Sequence, residues 1–179
     1  MLSRSRPQPS LHLSPVPNLP DLVTQHYRCW AGKHSEQTLL LRFMHQAYQE
    51  LCPTASLDHL NQTVEQLWSD QAGFWFIEPT LPTLSGEAQG CLWLGNAIDQ
   101  VSGDRYTHIF LLYVRPAYRR RGLGTALMQR AESWAIGQGN SQIGLHVLID
   151  SLAAHALYLG LGYAPQATFL QKRLSPPPA

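Results

Sequence analysis

Cysteine is scarce in this chain. Cys29, Cys52 and Cys91 are far apart and odd in number. They form neither a disulfide framework nor a zinc knuckle, and a reducing compartment suits them. No apolar run is long enough to span a bilayer, so no membrane partner is expected. There is no His-Glu-x-x-His, and no metal is expected. Net charge is nearly absent, at +1 near neutral pH. This argues against bulk attraction to nucleic acid or membrane surfaces. No internal repeat occurs. Acid is missing from the first twenty residues, which hold five prolines and two arginines before Asp21. Such a stretch forms ladders and helices poorly, so residues 1–24 read as a mobile tail. An organelle transit peptide is the alternative, against an otherwise cytoplasmic expectation.

What is present suits one domain, residues 25–174. The 179 residues suffice for a real core, and 44% hydrophobic content is ordinary for a globular protein. The chain is organised around Val114-Arg115-Pro116-Ala117-Tyr118-Arg119-Arg120-Arg121-Gly122-Leu123-Gly124-Thr125. The apolar run Ile109 to Val114 before it reads as a buried strand. After it, Leu123, Leu127, Ala131 and Trp134 recur at helical spacing. A helix start leaves backbone N–H groups without partners and carries partial positive charge. Glycines admit an anion to that backbone and arginines add charge, so a phosphate or pyrophosphate site is expected. The loop is neither a Walker A nor a dinucleotide fingerprint, because Gly-Lys-Ser/Thr and a third glycine are both missing.

The loop resembles the acetyl-CoA loop of the GNAT N-acetyltransferases, Gln/Arg-x-x-Gly-x-Gly/Ala. Arg119, Gly122 and Gly124 fit it, and Val114 stands five residues ahead of Arg119. A second block, Leu145-His146-Val147 through Ala154, Leu157, Tyr158 and Gly162-Tyr163, is similar to the family's Leu-x-Val, Asn-x-x-Ala-x-x-Leu-Tyr, Leu-Gly-Phe segment.

The elements read in order as a short strand at Tyr27–Trp30 and a helix from Ser35 to Leu51. A second helix carries Leu60, Val64, Leu67 and Trp68, capped by Ser56 or Asp58. Strands follow at Phe74–Ile77, Gly90–Ile98 and Tyr106–Val114, with Pro79–Gly86 as a loop. Then come the Leu123–Ala135 helix, a strand with Ile143, Leu145 and Val147, and a helix over Leu152–Leu161 capped by Asp150 or Ser151. Ala167–Leu174 is expected to be a last strand, and residues 175–179 a disordered tail. This order agrees with the resembled α/β fold. That fold has a mixed, largely antiparallel sheet with a splayed parallel strand pair, flanked by helices.

The resemblance implies an N-acetyltransferase that uses acetyl-CoA and attacks the thioester directly with a primary amine. The amine acceptor is a small molecule or a protein. Leu112, Tyr113 and Val114 would bond the pantetheine, and Arg119, Arg120, Arg121, Gly122, Leu123, Gly124 and Thr125 the pyrophosphate. Ser151 stands where the family uses asparagine, with a shorter reach. The Val114 backbone N–H would hold the carbonyl oxygen. Tyr158 matches the helix tyrosine that meets the leaving thiolate, and it also contacts the cofactor. His108 and His146 occupy the two positions at which family members place a general base, and His146 is the favoured one. Cys91 lies outside the motif, so no acyl-cysteine step is expected. The alternative function is a non-catalytic acyl-CoA sensor or interaction module.

Overall fold

The computed structural model describes residues 25–69, 71–81 and 87–172. The expected tails, 1–24 and 175–179, lie outside these residues, as do 82–86 of the expected loop. The chain divides into two compact units, one ending at His146 and one beginning at Val147.

In the first unit, β1 spans Tyr27–Ala31 and α1 spans Gln37–Leu51. Then follow α2 (Leu60–Leu67), β2 (Gly73–Pro79), β3 (Gly90–Ile98) and β4 (Arg105–Val114). α3 covers Leu123–Gly137 and β5 covers Ile143–Leu145. The strands lie side by side in chain order. β1 to β4 pair antiparallel, and β5 pairs parallel to β4.

Alternation along the strands divides the core into two faces. On one face Leu40, Phe43, Met44 and Ala47 of α1 cluster with Leu60 and Val64 of α2, Phe74, Phe76, Cys91, Trp93, Leu111 and Tyr113. Each large side chain so buried contributes about 1.5–3 kcal/mol. α3 packs on the other face, against β2, β3 and β4. There it buries Leu123, Ala126, Leu127, Met128, Ala131 and Ala135, and Trp134 meets Trp75 edge to face at 6.4 Å.

Three local features differ from the sequence expectations. Ser35 lies in a 3-10 turn, His34–Glu36, ahead of α1. Neither Ser56 nor Asp58 caps α2; the Ser56 hydroxyl donates to the Asp58 carboxylate at 2.8 Å instead. β4 carries an irregularity at Phe110. Trp93 faces Leu111 and Leu94 faces Ile109, so Phe110 is an extra residue on this strand. Gly95 makes room for it, since a Cβ there would lie 2.9 Å from the Phe110 ring.

The second unit carries α4, Leu152–Gly160. Ser151 is its N-cap residue but gives no side-chain cap hydrogen bond. Gly162, at φ +87°, ends the helix where the Tyr163 N–H returns to the Tyr158 carbonyl at 3.0 Å. The expected last strand is not there: residues 167–172 take no regular structure, and 173–174 lie outside the described residues. Phe169 and Leu170 are adjacent, so an extended backbone would put them on opposite faces with no single apolar face to bury. Both are exposed.

Candidate active site

The site is built on the far half of β4. The parallel ladder with β5 ends at Ile109 and Leu145, while β4 runs on to Val114. Which way its remaining peptides point follows from the register. The Arg115 N–H bonds the Gln89 carbonyl at 2.9 Å. Gly90 and Val114 are therefore a non-hydrogen-bonded pair, and so are Leu92 and Leu112. The N–H and C=O groups of Leu112 and Val114 point away from β3, to the side where β5 has ended. Tyr113 differs from them. Its backbone faces Cys91 on β3, and its hydroxyl donates to the Glu50 carboxylate at the end of α1. Burial first, and then that hydrogen bond, push the Tyr113 phenol up to about 12.

Beyond Val114 the chain makes a 3-10 turn, Pro116–Tyr118, and enters the arginine loop. Arg120 is held at φ 62°, a left-handed conformation that costs a non-glycine residue about 1–2 kcal/mol. Gly122, at φ 79°, is the N-cap of α3 and adopts the same region without that penalty. The first intrahelical N–H to find a carbonyl is that of Ala126, on Gly122 at 3.0 Å, and no side chain caps the helix. The N–H groups of Leu123, Gly124 and Thr125 thus make a donor cluster at the positive end of the helix dipole.

The three arginines play different parts. The Arg119 Nε donates to the Val114 carbonyl at 2.8 Å, and its other arm meets Glu50 at 2.6 Å. Its guanidinium is therefore taken by the protein. Arg121 stacks over Tyr118 at 5.2 Å and donates to the Ala117 carbonyl at 3.0 Å. Arg120 is exposed. Among the described residues neither Arg120 nor Arg121 pairs with a carboxylate, so two positive charges stand near the bare end of α3.

The two candidate bases come together. The rings of His108 and His146 lie 5.1 Å apart. His108 is opposite Gly144 in the parallel ladder, which puts His146, two residues on, beside it on the same face. Burial, and then the neighbouring His146, hold the His108 imidazole below its ordinary value. His146 is exposed. The Tyr106 hydroxyl lies 3.4 Å from His108 Nδ1, and the Phe110 ring lies 5.3 Å from the His108 ring between centroids. Sequence reasoning passed over Tyr106, although its spacing of two from His108 was the signal that they share a face. It also missed Glu50, for which no local signal exists.

In the second unit, Tyr158 lies on α4 with its ring 5.9 Å from that of Tyr163. Burial pushes its phenol up to about 12, so it is fully protonated at neutral pH. Cys91 is buried in the core of the first unit, and burial holds its thiol well above its ordinary value.

Residues 41–163 match the model of the acetyltransferase (GNAT) family. A mycothiol acetyltransferase of Renibacterium salmoninarum is 30% identical over 109 residues, 61% of this chain and 31% of that protein. An aminoglycoside N(6')-acetyltransferase type 1 of Acinetobacter genomosp. 13 is 36% identical over 52 residues, 29% of this chain and 36% of that one. The chain thus spans under half the length of these curated relatives. Among solved structures, a predicted acetyltransferase of Clostridium acetobutylicum with acetyl-CoA superposes with a TM-score of 0.68 at 13% identity. That superposition covers 82% of this chain and 96% of the other. That superposition shows a shared fold, and by the match over residues 41–163 the chain belongs to the GNAT acetyltransferase family.

Proposed function

We propose that this chain is an acetyl-CoA-dependent N-acetyltransferase acting on an acceptor with a single amine. The observation that carries this reading is the parting of β4 from β5 just where the Leu112 and Val114 peptides turn toward the vacated side. Those peptides lead directly into the bare, arginine-flanked start of α3. A thioester arm with amide groups and a pyrophosphate needs that sequence of partners. The relatives' names supply the transferred group and its carrier.

Each chemical requirement then has a residue. Leu112 and Val114 offer N–H groups on one line. Leu112 is the nearer to His108 along the strand, four residues against six, so we assign its N–H to the carbonyl oxygen and that of Val114 to the pantetheine. The acceptor amine must be neutral to attack, although its reference pKa is about 8 for a peptide N-terminus and about 10 for an alkylamine. His108, kept unprotonated by burial, takes the proton, and exposed His146 passes it to water. As the new C–N bond forms and the C–S bond breaks, the Tyr158 hydroxyl donates to the departing sulfur. A phenol near 12 is a weaker acid than a thiol near ~8.5. Tyr158 therefore stabilises the thiolate by hydrogen bonding and yields its proton late. Replacing Tyr158 by Phe is expected to lower kcat about tenfold while KM for acetyl-CoA moves little. Equal kcat, with chemistry shown to limit turnover, would make Tyr158 a packing residue.

The acceptor class follows from the carboxylates. Glu50 is engaged by Arg119 and Tyr113, and Glu87 by Arg115 at 2.7 Å. The groups around the proposed base are rings, Tyr106, Phe110 and the His146 imidazole. A polycation would find little compensation there for its lost hydration. A monoamine such as phenethylamine or a peptide N-terminus should exceed neamine and spermidine in kcat/KM by roughly tenfold or more, measured by CoA thiol release. A preference for the polycations would reject the acceptor assignment. If acetyl-CoA binds but no amine releases CoA, the sensor reading replaces catalysis.

A further inference from the structure

We propose that Glu50, at the end of α1, is a positioning residue for the cofactor loop. This rests on the reading that residues 120–125 hold acetyl-CoA. Glu50 uses both carboxylate oxygens. One accepts from the Tyr113 hydroxyl, and the other from Arg119 at 2.6 Å. Arg119 in turn donates through Nε to the Val114 carbonyl at 2.8 Å and lies over the Tyr113 ring at 5.6 Å. The result is a closed circuit: helix carboxylate, loop guanidinium, strand carbonyl and strand phenol. It fixes the point at which β4 turns into the loop.

As a stability element the circuit has little weight. The Glu50 and Arg119 side chains are 37% and 45% exposed, and exposed ion pairs add little. Its geometric effect is larger. Without Glu50, Arg119 keeps one neutral acceptor and can swing out with the loop. With it, the guanidinium is held inward and the peptides that follow start from a set place, including strained Arg120 and the uncapped turn of α3. Preorganised donors bind an anion more tightly than donors that must be ordered on binding. The carboxylate comes from α1, 69 residues earlier in the chain than the arginine it holds. Cofactor affinity therefore depends on how that helix end is seated.

The test is Glu50→Gln, which keeps an acceptor for Tyr113 and loses the charge that holds Arg119. Calorimetry with CoA is expected to show Kd raised about threefold to tenfold, and the loss in assays should appear in KM for acetyl-CoA and not in kcat. Arg119→Gln should show a similar loss, and the double variant no more than either single one, because both cut the same circuit. Unchanged or tighter CoA binding in folded Glu50→Gln, or losses that add in the double variant, would overturn the proposal. Wild-type protein that fails to bind CoA would overturn the loop assignment itself, and this proposal with it. Wild-type binding matched by Glu50→Gln sinks the role of Glu50 alone.

Discussion

Replacing both imidazoles, His108→Gln with His146→Gln, is expected to lower turnover about a hundredfold or more with acetyl-CoA affinity retained. Neither side chain lies on the loop proposed to hold the cofactor, so the loss should be confined to the proton step. The pH dependence carries the finer information. A base works in its neutral form, so activity rises with pH through its apparent pKa. Burial and the neighbouring His146 both lower that of His108. The rise should therefore sit below the ordinary histidine range near ~6.5. Removing His146 alone takes away one of the two lowering influences. The limb in His146→Gln should move to higher pH and survive, with a smaller loss of turnover. In His108→Gln the limb should lose its low position altogether. The acceptor's own ionisation also raises activity with pH, so all variants must be compared on one amine. If the limb stays in His108→Gln and vanishes in His146→Gln, then His146 alone is the base. If it stays in the double variant, water takes the proton directly.

The second large effect is expected at Gly124. Gly124→Val should weaken acetyl-CoA binding at least about tenfold, or about 1.4 kcal/mol, while the protein stays folded. Gly124 is the second residue of α3, inside the turn whose N–H groups lack partners. Gly124 is helical and valine has a better helix propensity than glycine, so the backbone tolerates valine there. Its branched side chain would still stand between an anion and the donor cluster. Gly122 would be a poorer choice for this purpose. At φ 79° a valine would be strained whatever bound nearby, and lost affinity could not be told from lost structure. Calorimetry alongside a thermal melt separates the two. A folded Gly124→Val with wild-type affinity would place the pyrophosphate elsewhere.

The parts legible in the sequence were those whose signals are local. The apolar run to Val114, the glycines at 122 and 124 and the spacing of Leu123, Leu127 and Ala131 lie within one stretch, and the fold places strand, loop and helix there. Three things were not legible, for different reasons. The extra residue at Phe110 sits in an unbroken apolar run, Ile109 to Val114, where no alternation exists to be interrupted. The last strand was expected at Ala167–Leu174, but Phe169 and Leu170 stay exposed and residues 167–172 form no ladder. Arg119 matched the cofactor motif by type and spacing, yet its side chain is spent on Val114 and Glu50. A partner so far away in the chain leaves no periodicity to find. The meeting of His108 with His146 lies between these cases. Both positions could be named from the motif, while their contact needed the parallel register.

Phe110 also acts as a phase shifter. His108 and Val114 are an even number of residues apart. In an unbroken strand they would share one hydrogen-bonding direction. The inserted residue makes the backbone of His108 face β3 while that of Val114 faces outward. Pairing Phe110 in unbroken alternation would leave the run just as apolar and the strand just as ready to pair. It would, however, deliver the Leu112 and Val114 donors to β3. The sheet would be complete and the cleft wall chemically silent. For this strand, register is as much a part of the functional code as residue identity.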